Sequence, residues 1–204
     1  MKREFSPGYL AAVLILACII FRVVCSKYPH LLPNISPLMA VAYVGAMYLP
    51  RKWGWLVGPA TLVVTEIAFI PLNRDAGSPM FSWGSLVFLA FYAAAGGLGI
   101  LIAERKSLTK IISGSVVLSL AFYVVANTFA WAGGAATATD PGYAMTFAGW
   151  WQANTVGLPG WEPTWHFLRN GMAGDLFFVL LLLLVLDRGF LLGQAPAKTE
   201  ARLA

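Results

Sequence analysis

An all-α bundle of transmembrane helices is the fold class this sequence predicts, and three observations predict it. Of its 204 residues 59% are hydrophobic and 11% charged, against about 25% charged in soluble domains. Apolar runs able to cross about 30 Å of hydrocarbon recur along the whole length, leaving no stretch for a soluble domain. The basic residues punctuate these runs instead of forming a basic face interleaved with aromatics, so the net charge of +5 implies no nucleic-acid partner.

Six spans are readable, at about 8–25, 37–50, 55–71, 83–104, 111–131 and 164–187. The first follows Lys2 and Arg3 and imitates a signal peptide, with Ile15-Leu16-Ala17-Cys18 echoing a lipoprotein cleavage box. Its apolar run continues to Val24, and Leu16 is bulky where such boxes favour small residues, so it is expected to stay as a permanent span. The second span is short, opening at Pro37 and stopping at Pro50 before Arg51 and Lys52. The third and fourth are separated by PLNRDAGSP, the fourth and fifth by ERKSLTK. The longest connection, roughly 132–163 and rich in Gly, Ala, Thr and Trp, precedes the sixth. Residues 1–193 thus read as one six-helix domain, and 194–204 as a disordered cytoplasmic tail.

With the N-terminus inside, Lys2, Arg3, Arg51, Lys52, Arg105, Lys106, Lys110, Arg188, Lys198 and Arg202 face the cytoplasm, ten of the fourteen Lys and Arg. Lys27 and Arg74 fall in outer loops, and Arg22 and Arg169 within spans. The asymmetry fits six helices with both termini cytoplasmic. Cys18 and Cys25 lie along one span roughly 10 Å of helical rise apart and imply neither a disulfide nor a metal cluster.

At about 1.5 Å of rise per residue, Arg169 and Asn170 lie one turn below the outer end of span six. Glu66 and Asn127 lie at similar depth in spans three and five, and Asp175 near the midplane. Ionisable groups in a span are expensive, so a common depth points to a common polar chamber. Two readings stand for the pair Arg169 and Glu66: they bond each other and lock helices three and six, or they clamp a ligand. Asp175 follows Gly171 and Gly174, whose small faces admit a neighbouring backbone, and reads either as an interhelical polar lock or as a ligand or proton group. The AAAGGLG run at 93–99 suits internal packing, whereas Ala42 and Ala46 on the short second span suit docking of a partner.

Trp131, Trp150, Trp151, Trp161 and Trp165 belong near the outer boundary, as an interfacial belt or as a lid that stacks on a flat ligand. His30 and His166 lie outside any metal or haem spacing, so no metal and no cofactor is expected. No nucleotide-phosphate loop, nucleophile elbow or paired-carboxylate motif marks an enzyme.

Three segments carry a resemblance. NISPLMAVAYVGAMYLPRKW at 34–53, NTFAWAGG at 127–134, and YAMTFAGWW through RNGMAGDLFF at 143–178 resemble a family of bacterial six-helix membrane proteins carrying a domain of unknown function. That family is similar in turn to the substrate-binding S components of energy-coupling factor transporters, which capture a vitamin or similar micronutrient from outside. The resemblance implies a ligand chamber lined by Asn34, Ser36, Glu66, Asn127, Arg169 and Asn170; from the tryptophan-rich boundary, Trp131 and Trp151 are expected to stack on the ligand. It also implies a transmembrane coupling subunit driven by ATPases, and residence in the bacterial inner membrane among its lipids. The first span lacks the Ala-x-x-x-Ala contact common in S components, since Ala12 is followed by Leu16. The expectation is a small-molecule binding or uptake subunit with its chamber between helices three, five and six. The competing expectation is a non-catalytic accessory or assembly subunit of a larger membrane complex.

Overall fold

The computed structural model describes residues 6–27, 35–69, 83–133 and 142–191. Asn34 and His30, and the tail at 194–204, lie outside the described residues. The described chain is helical, without strands: α1 (Pro7–Lys27), α2 (Leu38–Ala40) passing directly into a π-helical turn (Val41–Gly45), α3 (Arg51–Gly54), α4 (Val57–Phe69), α5 (Trp83–Ala103), α6 (Leu108–Gly133), α7 (Phe147–Ala153), α8 (Thr164–Leu186) and α9 (Arg188–Leu191).

Local chemistry sets these boundaries. Ser6 Oγ accepts from Tyr9 N, with Pro7 preset for the first turn of α1. Ser36 Oγ accepts from Leu38 N, Ser107 Oγ from Lys110 N, and Thr146 Oγ1 from Gly149 N. Each hydroxyl satisfies a donor that the first helical turn leaves unpaired. At the other end of α8, Asp187 Oδ1 accepts from Phe190 N and so restarts the chain as α9.

Among the described residues, four helices are long and apolar enough to cross a membrane: Gly8–Cys25, Ser85–Ala103, Leu108–Gly133 and Thr164–Leu186. Their outward stripes are apolar; on α1, Val13, Leu16, Ile20 and Val24 are exposed at helical spacing, and on α8 Phe177, Leu180, Leu181, Leu184 and Val185. Apolar surface of that extent belongs in lipid. Over the described residues, the second and third expected spans are covered by shorter helices. At 13 residues, α4 rises about 20 Å, and α2 with its π-turn less.

The central helix formed by α2 and the π-turn is buried on every side from Leu38 to Ala46. Small residues on the neighbouring helices make room for it. A methyl on Gly58 of α4 would sit 2.6 Å from Ala42 Cβ, one on Gly99 of α5 2.0 Å from the Tyr43 carbonyl oxygen, and one on Gly114 of α6 2.2 Å from Tyr43 Oη. Ala42 and Ala46, expected to dock a partner, are therefore enclosed within the chain at 0% and 1% exposure. The small-residue rule applies to them, but the helices that approach are the protein's own. The AAAGGLG run packs internally as well, with Gly96 against the backbone of Trp55 and Gly99 against Tyr43.

The start of the central helix lies deep. Ile35 rests on Gly174, where a methyl would come 3.0 Å from Ile35 Cγ2. Gly174 is ten residues, or about 15 Å, into the 23-residue α8. The central helix thus fills the half of the bundle toward α3 and α9 and begins near mid-depth.

Candidate functional site

At the level where the central helix begins, polar side chains from α1, α4, α5, α6 and α8 converge. Arg22 of α1 donates from one terminal nitrogen to Thr65 Oγ1 (2.6 Å) and from the other to Glu66 Oε1 (3.0 Å) on α4. Thr65, fully buried, passes its own hydrogen to the Leu62 carbonyl (2.9 Å), so its oxygen is free to accept from Arg22. Glu66 is 43% exposed and Arg22 27%, so the pair sits at the edge of the interior. Tyr92 of α5, 7% exposed, is buried in the same cluster as Cys18 of α1 and Phe178 of α8.

On the opposite side of this group, Ser119 Oγ of α6 donates to Asp175 Oδ2 of α8 at 2.6 Å and stands 2.9 Å from the Ser115 carbonyl. Ser115 Oγ, one turn along the same face, is enclosed without a hydrogen-bond partner among the described residues. Asp175 is 9% exposed, and the Ser119 contact ties α6 to α8, two helices that pack extensively on each other.

A layer of aromatic side chains lies over the ends of α6 and α8. Trp150 Nε1 donates to Thr128 Oγ1 (2.9 Å), Tyr123 Oη to the Asn154 carbonyl (2.8 Å) and Trp131 Nε1 to the Ala144 carbonyl (2.8 Å). Thr164 Oγ1 bonds the Thr155 carbonyl at 2.8 Å. These bonds latch α7 and its flanks onto α6 and α8. Gly157, at φ 75°, makes the turn between them, a conformation a side chain would strain.

The residues expected to line one chamber are not brought together. Glu66 belongs to the polar group, but its partner is Arg22 and not Arg169. Arg169 is exposed, bonded through Nε to Asn170 Oδ1 (3.1 Å), with its guanidinium 5.7 Å from the Trp165 ring. Asn127 donates to the Tyr123 carbonyl of its own helix at 2.9 Å. Ser36 caps the central helix, and Trp131 holds the aromatic layer. Trp151, 58% exposed, faces outward. Gly171 is partly exposed, whereas Gly174 beside Asp175 is closed by Ile35. His166 pairs with Glu162 at 2.8 Å.

Sequence reasoning missed Arg22, Thr65, Tyr92, Ser115 and Ser119. A signal for most of them was available: Cys18 and Arg22, Thr61 and Thr65, and Ser115 and Ser119 are each four apart, which places polar atoms on one helical face. An arginine inside an apolar run also demands an acidic partner on another helix.

No curated protein and no solved structure matches the chain. One family model covers residues 4–188, nearly the whole described bundle, and by that match the chain belongs to a family of unknown function (DUF6580).

Proposed function

We propose that this protein is a membrane-embedded small-molecule binding subunit of an uptake system, similar in architecture to the S components of energy-coupling factor transporters. In this reading the chain passes a bacterial inner membrane six times, with both termini cytoplasmic and α2 and α4 as shortened passes. The ligand site lies in the outer half of the bundle, above the start of the central helix and beneath the aromatic layer. The observation that carries the reading is the pair of intramembrane polar contacts, Arg22 of α1 on Thr65 and Glu66 of α4 and Asp175 of α8 on Ser119 of α6, with Tyr92 of α5 buried in the core beside Cys18. Polar groups at mid-depth gather around wet or ligand-filled space. Arg22 and Glu66 supply donors and an acceptor to a polar ligand, and Tyr92 supplies an aromatic wall.

Native mass spectrometry of the protein extracted from its own membrane tests this reading. A small adduct is expected on the wild type and lost in Arg22→Ala and in Glu66→Gln. An adduct retained by both folded variants removes the site from this group. A second reading, an accessory subunit of a larger membrane complex, is favoured by one observation: Arg22 with Glu66, and Asp175 with Ser119, satisfy each other within the chain. Stoichiometric co-extraction of protein subunits without any small adduct would select it.

A further inference from the structure

On the side of the bundle away from the aromatic layer, a surface groove runs between the end of the central helix and the end of α5. It encloses about 270 Å³. Its floor is apolar, from Met47, Leu49, Ile100 and Ala103, and its outer end is closed by the ion pair of Arg51 with Glu104. The short α3 beside it presents Arg51, Lys52 and Trp53 to the surroundings, with Trp55 following. Lys52 Nζ stands 5.2 Å from the Trp53 ring centre, and Trp55 Nε1 bonds the Lys52 carbonyl at 3.1 Å.

We propose that this groove is a binding site for one anionic phospholipid. A lipid chain matches the floor, whose lining side chains Met47, Leu49, Ile100 and Ala103 are all apolar. A phosphate matches the rim. Arg51, Lys52 and the exposed Arg105 set three cations against the single carboxylate of Glu104. Glu104 holds the Arg51 guanidinium through one nitrogen, which orients the group while leaving donors for a phosphate oxygen. Trp53 and Trp55, 59% and 43% exposed, occupy the headgroup level where indoles settle. A zwitterionic lipid fits the same floor but gains nothing from the excess of positive charge at the rim.

The test uses the full-length protein in mild detergent, titrated with phosphatidylglycerol or phosphatidylcholine of identical acyl chains and read by native mass spectrometry. One phosphatidylglycerol is expected to be retained in clear preference to phosphatidylcholine. Arg51→Ala/Lys52→Ala lowers its affinity about tenfold. Arg188→Ala, an exposed cation off the groove, leaves it unchanged. Ala103→Trp fills the floor and displaces the lipid with every charge in place. Thermal unfolding of each variant checks that it is folded. Equal binding of the two lipids, or a preference that survives both the double variant and Ala103→Trp, overturns the site. So does full displacement by inorganic phosphate, which makes the rim a phosphate site, or a protein chain bound in the groove in place of lipid.

Discussion

Two ion pairs at opposite ends of the bundle illustrate how one kind of contact serves different ends. Arg22 and Glu66 meet where the alternative for either is hydrocarbon or a confined polar space, so removing one strands the other. Arg22→Ala is expected to destabilise the protein by ~1–3 kcal/mol, and Arg22→Ala/Glu66→Ala by less than the sum of the single changes. Denaturant unfolding in detergent measures the cycle; strictly additive losses would show that the two side chains do not act as a pair. Asp187, just beyond α8, is different. Burial works against its ionisation, yet hydrogen bonds from Lys106 and from Phe190 N, the Lys106 charge and the Tyr48 hydroxyl outweigh that and hold its carboxyl below the ordinary range. The folded chain thus binds this proton less tightly than the unfolded one. Its stabilisation is complete above about pH 5 and is lost as pH falls through 4 and below. Asp187→Asn should lower the unfolding midpoint at pH 7, and its deficit against the wild type should shrink as pH falls below the ordinary carboxylate range, as thermal scans down the pH scale will reveal.

At the scale of elements, the central helix depends on glycine where the neighbouring helices touch it. Gly99 and Gly97 both lie in α5, two residues apart, and face different surroundings. A methyl on Gly99 meets the Tyr43 carbonyl, a backbone atom that cannot rotate away, whereas one on Gly97 meets nothing within 4 Å. Gly99→Ala is therefore expected to cost several kcal/mol or prevent accumulation of folded protein. Gly97→Ala should be neutral, or stabilise by up to about 1 kcal/mol through helix propensity. A normal unfolding midpoint for Gly99→Ala would remove the π-turn contact from the account. This contrast also marks what the sequence makes legible. The long helices α1, α5, α6 and α8 are readable because an apolar run ended by proline, serine or charge specifies length. The direction in which Ala42 and Ala46 point is not, since a small face inside the bundle and a small face awaiting a partner have the same composition. The partner of Glu66 stayed hidden for a related reason. Depth follows from counting residues, but which helix stands opposite is set by packing between segments 44 residues apart.

For the whole molecule, the order of helices and the distribution of charge lead to one topological consequence. The ion pairs Arg51–Glu104 and Lys106–Asp187 put the turn at Glu104–Ser107 on the same side as α3 and α9, and the α7 layer lies over the other ends of α6 and α8. Arg51, Lys52, Arg105, Lys106, Lys110 and Arg188 gather on the first side, while among the described residues of the second the exposed large side chains include Phe147, Trp151, Trp161 and Trp165. The positive-inside rule then orients the proposed six-pass chain with the phospholipid groove on the cytoplasmic leaflet and the Arg22 group opening outward. A cysteine introduced as Trp161→Cys, in a Cys18→Ala/Cys25→Ala background, should react with an impermeant maleimide added to intact cells. One introduced as Arg105→Cys should react only after the membrane is opened. The reverse pattern would turn the molecule over, place the polar group toward the cytoplasm and make capture of an external nutrient untenable. Labelling of both from outside would break the six-pass topology itself.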